Sequence, residues 1–330
     1  MNDTLMVIGE ALIDFIPTEQ GMALKDVCSF TKHCGGAPIN IAAATAKLGA
    51  HSKVLTQVGA DAFGDFILET LSLCQVDITA VKRTKQYPTA LAFVALDEKG
   101  NRDFTFYRDP CADLHLSAED ITATMFQDCG ILHFCSVDLV DSPMKQAHLK
   151  AIQLAKEQGA IISFDPNVRL PLWSSKEDCK NTILEFAPYA DILKISDAEL
   201  FFLTGQKDCE QVFTVFPDAT IILLTCGEQG SYLMTKEHRL YEKPIPVKAI
   251  DTTGAGDAFA AAFLYQLLRD GISREQLPHL SKDILQVYLR FSNAYAADST
   301  TKYGAVHAMA QEFHEFLQNF HISNVIISDS

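Results

Sequence analysis

No run of lysines and arginines occurs anywhere in this chain of 330 residues, whose 27 Lys and Arg are outnumbered by 42 Asp and Glu for a formal net charge of −15. That imbalance removes the electrostatic footprint of nucleic-acid or anionic-membrane binding. An anionic ligand would need local help from helix N-termini, a few placed Arg or Lys side chains, or a divalent cation. Long apolar runs are missing too: the longest, around Ala258 to Leu268, falls short of the roughly 20 residues a bilayer takes. The opening MNDTLMVIGEALIDFIP has no basic flank and is interrupted by Glu10 and Asp14, so no secretory signal is expected. None of the nine cysteines pairs at the two-residue gap of a zinc ribbon or thioredoxin-like motif, and a reduced, cytoplasmic setting is expected. His33, His133 and His148 stand apart with no H-E-x-x-H, which argues against catalytic zinc. No G-x-G-x-x-G follows the first apolar run, against a dinucleotide-dependent oxidoreductase, and no G-x-x-x-x-G-K-[ST] exists, against a P-loop kinase.

What is present is a globular composition, 48% hydrophobic and 21% charged, enough to bury a large core. Apolar runs rich in β-branched residues alternate with helical patterns, as βαβ units and a parallel sheet require. The expected buried strands are Leu5 to Ile8, Lys53 to Val58, Ile131 to Cys135, Ile161 to Phe164, Ile192 to Ile195 and Thr220 to Leu224. Helix ends are readable: Ser142 and Pro143 start one that Gly159 stops, and Pro38 and Gly49 bracket another. Thr89 to Arg108 breaks the rhythm, reading as an antiparallel hairpin around DEKGN. With Leu12 to Cys34 it would form a small sheet covering one edge of the core, and water exclusion is what a transfer enzyme using ATP needs. The expectation is one α/β domain, 1–330, with 12–34 and 86–111 as inserted lid segments. HAMAQEFHEFLQNFH reads as a packing helix, and the polar tail after Phe320 as fraying.

The strongest string is DTTGAGDAFAAAFLY, Asp251 to Tyr265, where a Gly-Ala-Gly turn runs into an Ala-rich helix. Amides of Gly254, Ala255 and Gly256 can converge at the helix start, where the dipole favours a phosphate. Asp257 in that first turn either answers the dipole or takes the proton from a hydroxyl attacking phosphorus. The presence of a second glycine-rich string, HCGGAPINIAAATAKLG, favours the chemical role. There Gly35 and Gly36 permit close backbone approach, and Asn40 can hold vicinal hydroxyls. Asp14 interrupts an apolar strand; it is either a solvated strand end or a carboxylate accepting from two sugar hydroxyls.

These two strings, in this order, resemble the ribokinase-like carbohydrate kinases, which include ribokinase, adenosine kinase and many fructokinases. GEALIDFIP and NAYAADSTTKYGA also look like family segments, so the resemblance covers nearly the whole chain. It implies a three-layer sandwich, a mostly parallel central sheet between helices with a small β lid, and transfer from ATP to a sugar. Asp257 would be the base, with Gly254 to Gly256 stabilising charge on the phosphoryl group. Asp14, Gly35, Gly36 and Asn40 would hold the sugar. Thr225, Gly227 and Gly230 in TCGEQGSY match the segment lying against the nucleotide, and Asn293 a position that packs the adenine; these glycines alone would also suit an ordinary turn. In KISDAEL, Ser196 replaces the asparagine of a magnesium-organising motif, while Glu199 remains to act through water. Asp251 and Thr253 match positions that bind potassium in some members. FYRDPCADLHL and FDPNVRLPLW resemble fructokinases, which points to Phe106, Arg108 and Arg169 in the sugar pocket. The same arginines also fit surface ion pairs, or the carboxylate of 2-keto-3-deoxygluconate in related kinases. A sugar sensor without turnover is the rival from another class; retention of Asp257, the Gly-Ala-Gly turn and Glu199 argues against it. A homodimer through exposed lid strands is the default expectation.

Overall fold

The computed structural model describes residues 2–19, 21–96, 102–206, 212–302, 304 and 305. Its strands are β1 (Thr4–Ile8), β2 (Leu12–Pro17), β3 (Phe30–Gly35), β4 (His51–Leu55), β5 (Gln57–Gly59), β6 (Lys82–Thr84), β7 (Ala90–Leu96), β8 (Arg102–Tyr107), β9 (Cys129–Cys135), β10 (Ile161–Asp165), β11 (Ile192–Ser196), β12 (Ile221–Thr225), β13 (Ser231–Met234) and β14 (Arg239–Glu242). The helices are α1 (Ala37–Lys47), α2 (Ala62–Leu73), α3 (Pro143–Glu157), α4 (Lys176–Phe186), α5 (Asp197–Thr204), α6 (Val212–Val215), α7 (Ala255–Arg269) and α8 (Lys282–Ser299).

Eight strands form the central sheet in the order β14-β13-β12-β11-β10-β9-β1-β4, parallel from β4 to β12 and antiparallel over the last two pairings. The period of two divides each strand between two cores. Leu5, Val7, Ile131, Ile161 and Ile192 face α1, α7 and α8. Met6, Ile8, Leu132, Phe134 and Phe164 face α3 and α4. This is the three-layer α/β/α sandwich that the resemblance implies, around the parallel sheet that the alternation predicts. Among the described residues no helix is long and apolar enough to cross a membrane.

A second sheet, of order β3-β2-β7-β8, holds the expected hairpin with Leu12 to Pro17 beside it. Asp61 ties it to the body: one carboxylate oxygen caps α2 at Phe63 and Gly64, and the other accepts from the Thr89 amide at 2.9 Å. The DEKGN turn, the closing HAMAQEFHEFLQNFH and the tail after Phe320 lie outside the described residues.

The single strand expected over Lys53 to Val58 divides. β4 stays in the central sheet, and β5 pairs with β6 in a separate two-stranded sheet. The break falls at buried Thr56, whose carbonyl accepts from Lys82 N instead of continuing the ladder. Ser142 precedes α3 with extended backbone, as an N-cap does, but its hydroxyl makes no cap bond; Pro143 and Gly159, at φ +74°, bound the helix.

Candidate active site

The parallel strands deliver their carboxyl ends to one side, where open α/β sheets bind ligands. Glu10 follows β1, Asp165 ends β10, Ser196 ends β11 and Thr225 ends β12. Two helix starts, those of α1 and α7, meet over this edge.

Gly254 caps α7 in the left-handed region, at φ +73°, which glycine adopts without steric cost. The first helical bond is Ala258 N–H to Gly254 O at 2.7 Å, so the amides before it are the leftover donors of a helix start. That of Ala255 leans back to Thr252 O at 3.3 Å. Asp257 sits in this turn, and its Oδ2 accepts from Asn40 Nδ2 at 2.7 Å. Burial raises the Asp257 carboxyl above its ordinary value, against the Asn40 hydrogen bond and the charges of Lys194 and Arg169, which pull it down. A raised carboxyl is the better proton acceptor when deprotonated.

The start of α1 is packed as tightly as its glycines suggest. A Cβ on Gly35 would lie 2.1 Å from Asp14 Oδ2, so the Asp14 carboxylate occupies the room a side chain would need. Gly36 has φ +112°, and a Cβ there would lie 2.3 Å from the Glu10 carbonyl oxygen. The Glu10 side chain accepts from Ala37 N at 2.9 Å and so caps α1. Asn40 is buried, and its Oδ1 has no hydrogen-bond partner among the described residues, which leaves an acceptor for a ligand hydroxyl.

Of the residues expected around ATP and its magnesium, Thr225, Gly227, Gly230 and Asn293 line a cavity of 510 Å³ that reaches Ala255 and Gly256. Asn293 is held by Lys243 O at 2.6 Å and Ser231 Oγ at 3.3 Å. Ser196 stands apart from that cavity. It begins α5 as one half of a capping box: its amide and hydroxyl donate to Glu199 Oε2 at 2.8 and 2.9 Å. Glu199 Oε1 accepts from Val168 N at 2.9 Å. Asp251 clamps a loop, accepting from Thr253 N at 2.9 Å and from Gly304 N at 3.0 Å. Phe106 packs with Leu12, Ala90, Ala92 and Cys111 in the small sheet. Arg169 donates to Val168 O at 3.1 Å, with its charge felt at Asp257.

Arg108 is buried, and its Nη2 binds Asp113 at 2.7 Å and Asp138 at 2.5 Å. The sequence reading missed both aspartates, as well as Glu10, and also the apolar cavity wall from Pro244 to Val247. The paired prolines of KPIPV were the available signal for that wall, since proline holds the chain extended without needing a donor. Burial pushes the Glu10 carboxyl up to about 8, with Asp138 adding and Arg108 opposing. Burial likewise carries Asp138 up to about 7, against Arg108. The neutral forms therefore stabilise the fold fully below the unfolded carboxyl value near ~4, and that stability is lost as pH rises through the folded values. Glu10→Gln keeps an oxygen for the Ala37 amide and removes one titration. It is expected to flatten the fall in Tm between about pH 5 and about pH 9; a fall as steep as the parent's would mean that Glu10 is not the group lost.

A family model described as pfkB family carbohydrate kinase matches residues 2–312. The chain is 39% identical over 308 residues to Fructokinase-2 of Solanum lycopersicum, covering 92% of each protein. The crystal structure of a fructokinase from Xylella fastidiosa with bound ATP superposes with a TM-score of 0.89 at 31% identity, over 97% of this chain and 99% of that one. A double mutant of Vibrio cholerae O395 fructokinase, with fructose, ADP and potassium ion bound, superposes with a TM-score of 0.84 at 33% identity, over 96% and 98%.

Proposed function

Because this chain belongs to the pfkB family of carbohydrate kinases and is a phosphotransferase acting on a sugar hydroxyl, we propose that its sugar is D-fructose and its product fructose 6-phosphate. The observation that carries the reading is the 2.7 Å bond from Asn40 to Asp257, which brings the sugar-holding helix start against the base. Fructose lies between Asp14, Gly35, Gly36 and Asn40, under the small sheet as a lid. Asp257 takes the proton of the terminal hydroxyl, whose oxygen attacks the γ-phosphorus of ATP held in the cavity beside Gly254 to Gly256. Magnesium would be held through water by Glu199, whose Oε1 accepts one bond from Val168 and keeps acceptor capacity, and would neutralise charge on the phosphates. Potassium at Asp251 and Thr253, a homodimer through the lid strands and a cytoplasmic location belong to the same reading.

Arg108 favours a neutral sugar over 2-keto-3-deoxygluconate. Its guanidinium is already engaged by two buried aspartates, at 2.7 and 2.5 Å, so a substrate carboxylate entering there would have to displace one of them to be paired. Rates of ADP release with magnesium-ATP and fructose, glucose, mannose, ribose, adenosine or the keto acid test this. Fructose is expected to give a kcat/KM at least ~10²-fold above the others. Preference for the keto acid would overturn the substrate, and turnover with none of them would favour a sensor.

A further inference from the structure

Lys194 lies in the middle of β11, on the face shared with Ile192 that packs beneath α7. It is buried, and its Nζ donates to Asp165 Oδ2, the end of the neighbouring strand β10, at 2.8 Å. A lysine in an apolar strand costs several kcal/mol of desolvation per ion unless its position has a use. Its position is below the phosphate-binding turn: a Cβ built on Gly256 would lie 2.9 Å from Lys194 Nζ and 3.6 Å from Cε. The missing side chain at residue 256 is what lets the ammonium approach the helix start.

The ammonium has three donors. Asp165 takes one, and no other hydrogen-bond acceptor contacts Nζ among the described residues. Its charge is felt at Asp257 and at Glu199, so it lies amid the base, the anion hole and the group assigned to magnesium. Burial alone would drive the proton off, but the charges of Asp165, Glu199 and Asp257 more than offset that and hold Lys194 protonated. A chain with a net charge of −15 needs a placed cation to receive an anion, and here one is fixed beside the phosphate-binding amides.

We infer that Lys194 is a catalytic residue whose ammonium, oriented by Asp165, contacts an oxygen of the transferred phosphoryl group and stabilises charge developing there. The inference rests on the sugar kinase activity assigned above. The sugar hydroxyl gives its proton to Asp257 as its oxygen bonds to the γ-phosphorus. The bond from that phosphorus to the bridging oxygen breaks, ADP leaves with the electron pair, and Lys194 keeps its proton throughout. Asp165 acts through Lys194 as a positioning residue.

The test is Lys194→Met combined with Asp165→Asn, which removes both charges and leaves neither buried alone. In the folded double variant kcat with fructose is expected to fall ~10²-fold or more, the loss that follows removal of one donor to a developing anion. ADP affinity by calorimetry and KM for fructose are expected to stay within about threefold, since the contact is made to the transferred group. Lys194→Gln, which keeps a donor for Asp165, is the second variant should the first fail to fold, with the same expectation. A structural ion pair would instead lower Tm and leave kcat of the folded protein unchanged; kcat within about threefold of the parent in either variant overturns the inference. Failure of the activity itself is seen separately: a parent protein inactive on every sugar sinks both readings, whereas an active parent with an unimpaired variant sinks only the role of Lys194.

Discussion

Asp257→Ala is expected to lower kcat with fructose by at least the ~10²–10⁴-fold contributed by a positioned general base, with little change in KM. A carboxylate in the first turn of α7 suits the helix dipole, yet it stands where an incoming phosphate would repel it, and it is held there by Asn40 at 2.7 Å. The repulsion is tolerable if the carboxylate leaves the encounter protonated. Its raised pKa sets the direction of the pH profile. Activity requires the deprotonated form, so kcat/KM of the parent should fall as the pH drops through the folded value, at a higher pH than for an ordinary aspartate. The variant should lose that limb. Stopped assays with the parent and variant at matched folding, across a pH series, decide it: near-normal turnover, or an unchanged acid limb in the variant, would remove Asp257 from the chemistry.

Gly36→Ala should be strongly damaging, because it combines a positive φ with a backbone clash. An alanine at φ +112° is strained before any contact is considered, and its Cβ would sit 2.3 Å from a backbone oxygen, that of Glu10, which has no rotamer by which to withdraw. The cost is expected to be about 3–5 kcal/mol, drawn from backbone strain plus overpacking. Because Glu10 caps α1 through Ala37, displacement there also carries Asn40 away from Asp257. Urea unfolding should show the midpoint falling with an unchanged slope, and any protein that folds should have a raised KM for sugar. A variant within about 1 kcal/mol of the parent would mean that the turn relaxes freely. Gly49→Ala is the comparison, since its φ is also positive, at +100°, but a Cβ there meets nothing within 4 Å.

Much of this architecture is readable from residue order, because local pattern determines it. Ile161 to Phe164 or Ile192 to Ile195 can only be buried on both sides, and a glycine-rich turn before an Ala-rich helix advertises a helix start. β13 and β14 escaped notice since short edge strands such as SYLM and RLYE mix polar with apolar residues and pair only with each other and β12. At Thr56 the apolar run continues while the chain changes sheets, a choice made by a partner strand at Lys82 to Thr84. The electrostatics were hidden more deeply. Lys194 and Asp165 are 29 residues apart, and Arg108 reaches Asp138 across 30. Such pairs depend on the lateral register of neighbouring strands and on how loops return over the sheet edge, and no spacing along the chain encodes them. A lone lysine in KISDAEL looks like a strand end meeting water until the sheet is assembled around it.

The bond between Asn40 and Asp257 joins residues 217 apart in the chain. Closing so long a loop costs roughly 5 kcal/mol of chain entropy beyond a constant, repaid only when the intervening strands have stacked in order. Neither end of the chain holds the whole of the proposed site: the turn assigned to the sugar is made early in synthesis, the turn assigned to the base and phosphate late. While the chain is being made, and in any intermediate that has collapsed without bringing α1 to α7, no sugar hydroxyl is held against Asp257 to receive a phosphate. Catalytic competence thus requires the two ends of the chain to be brought together.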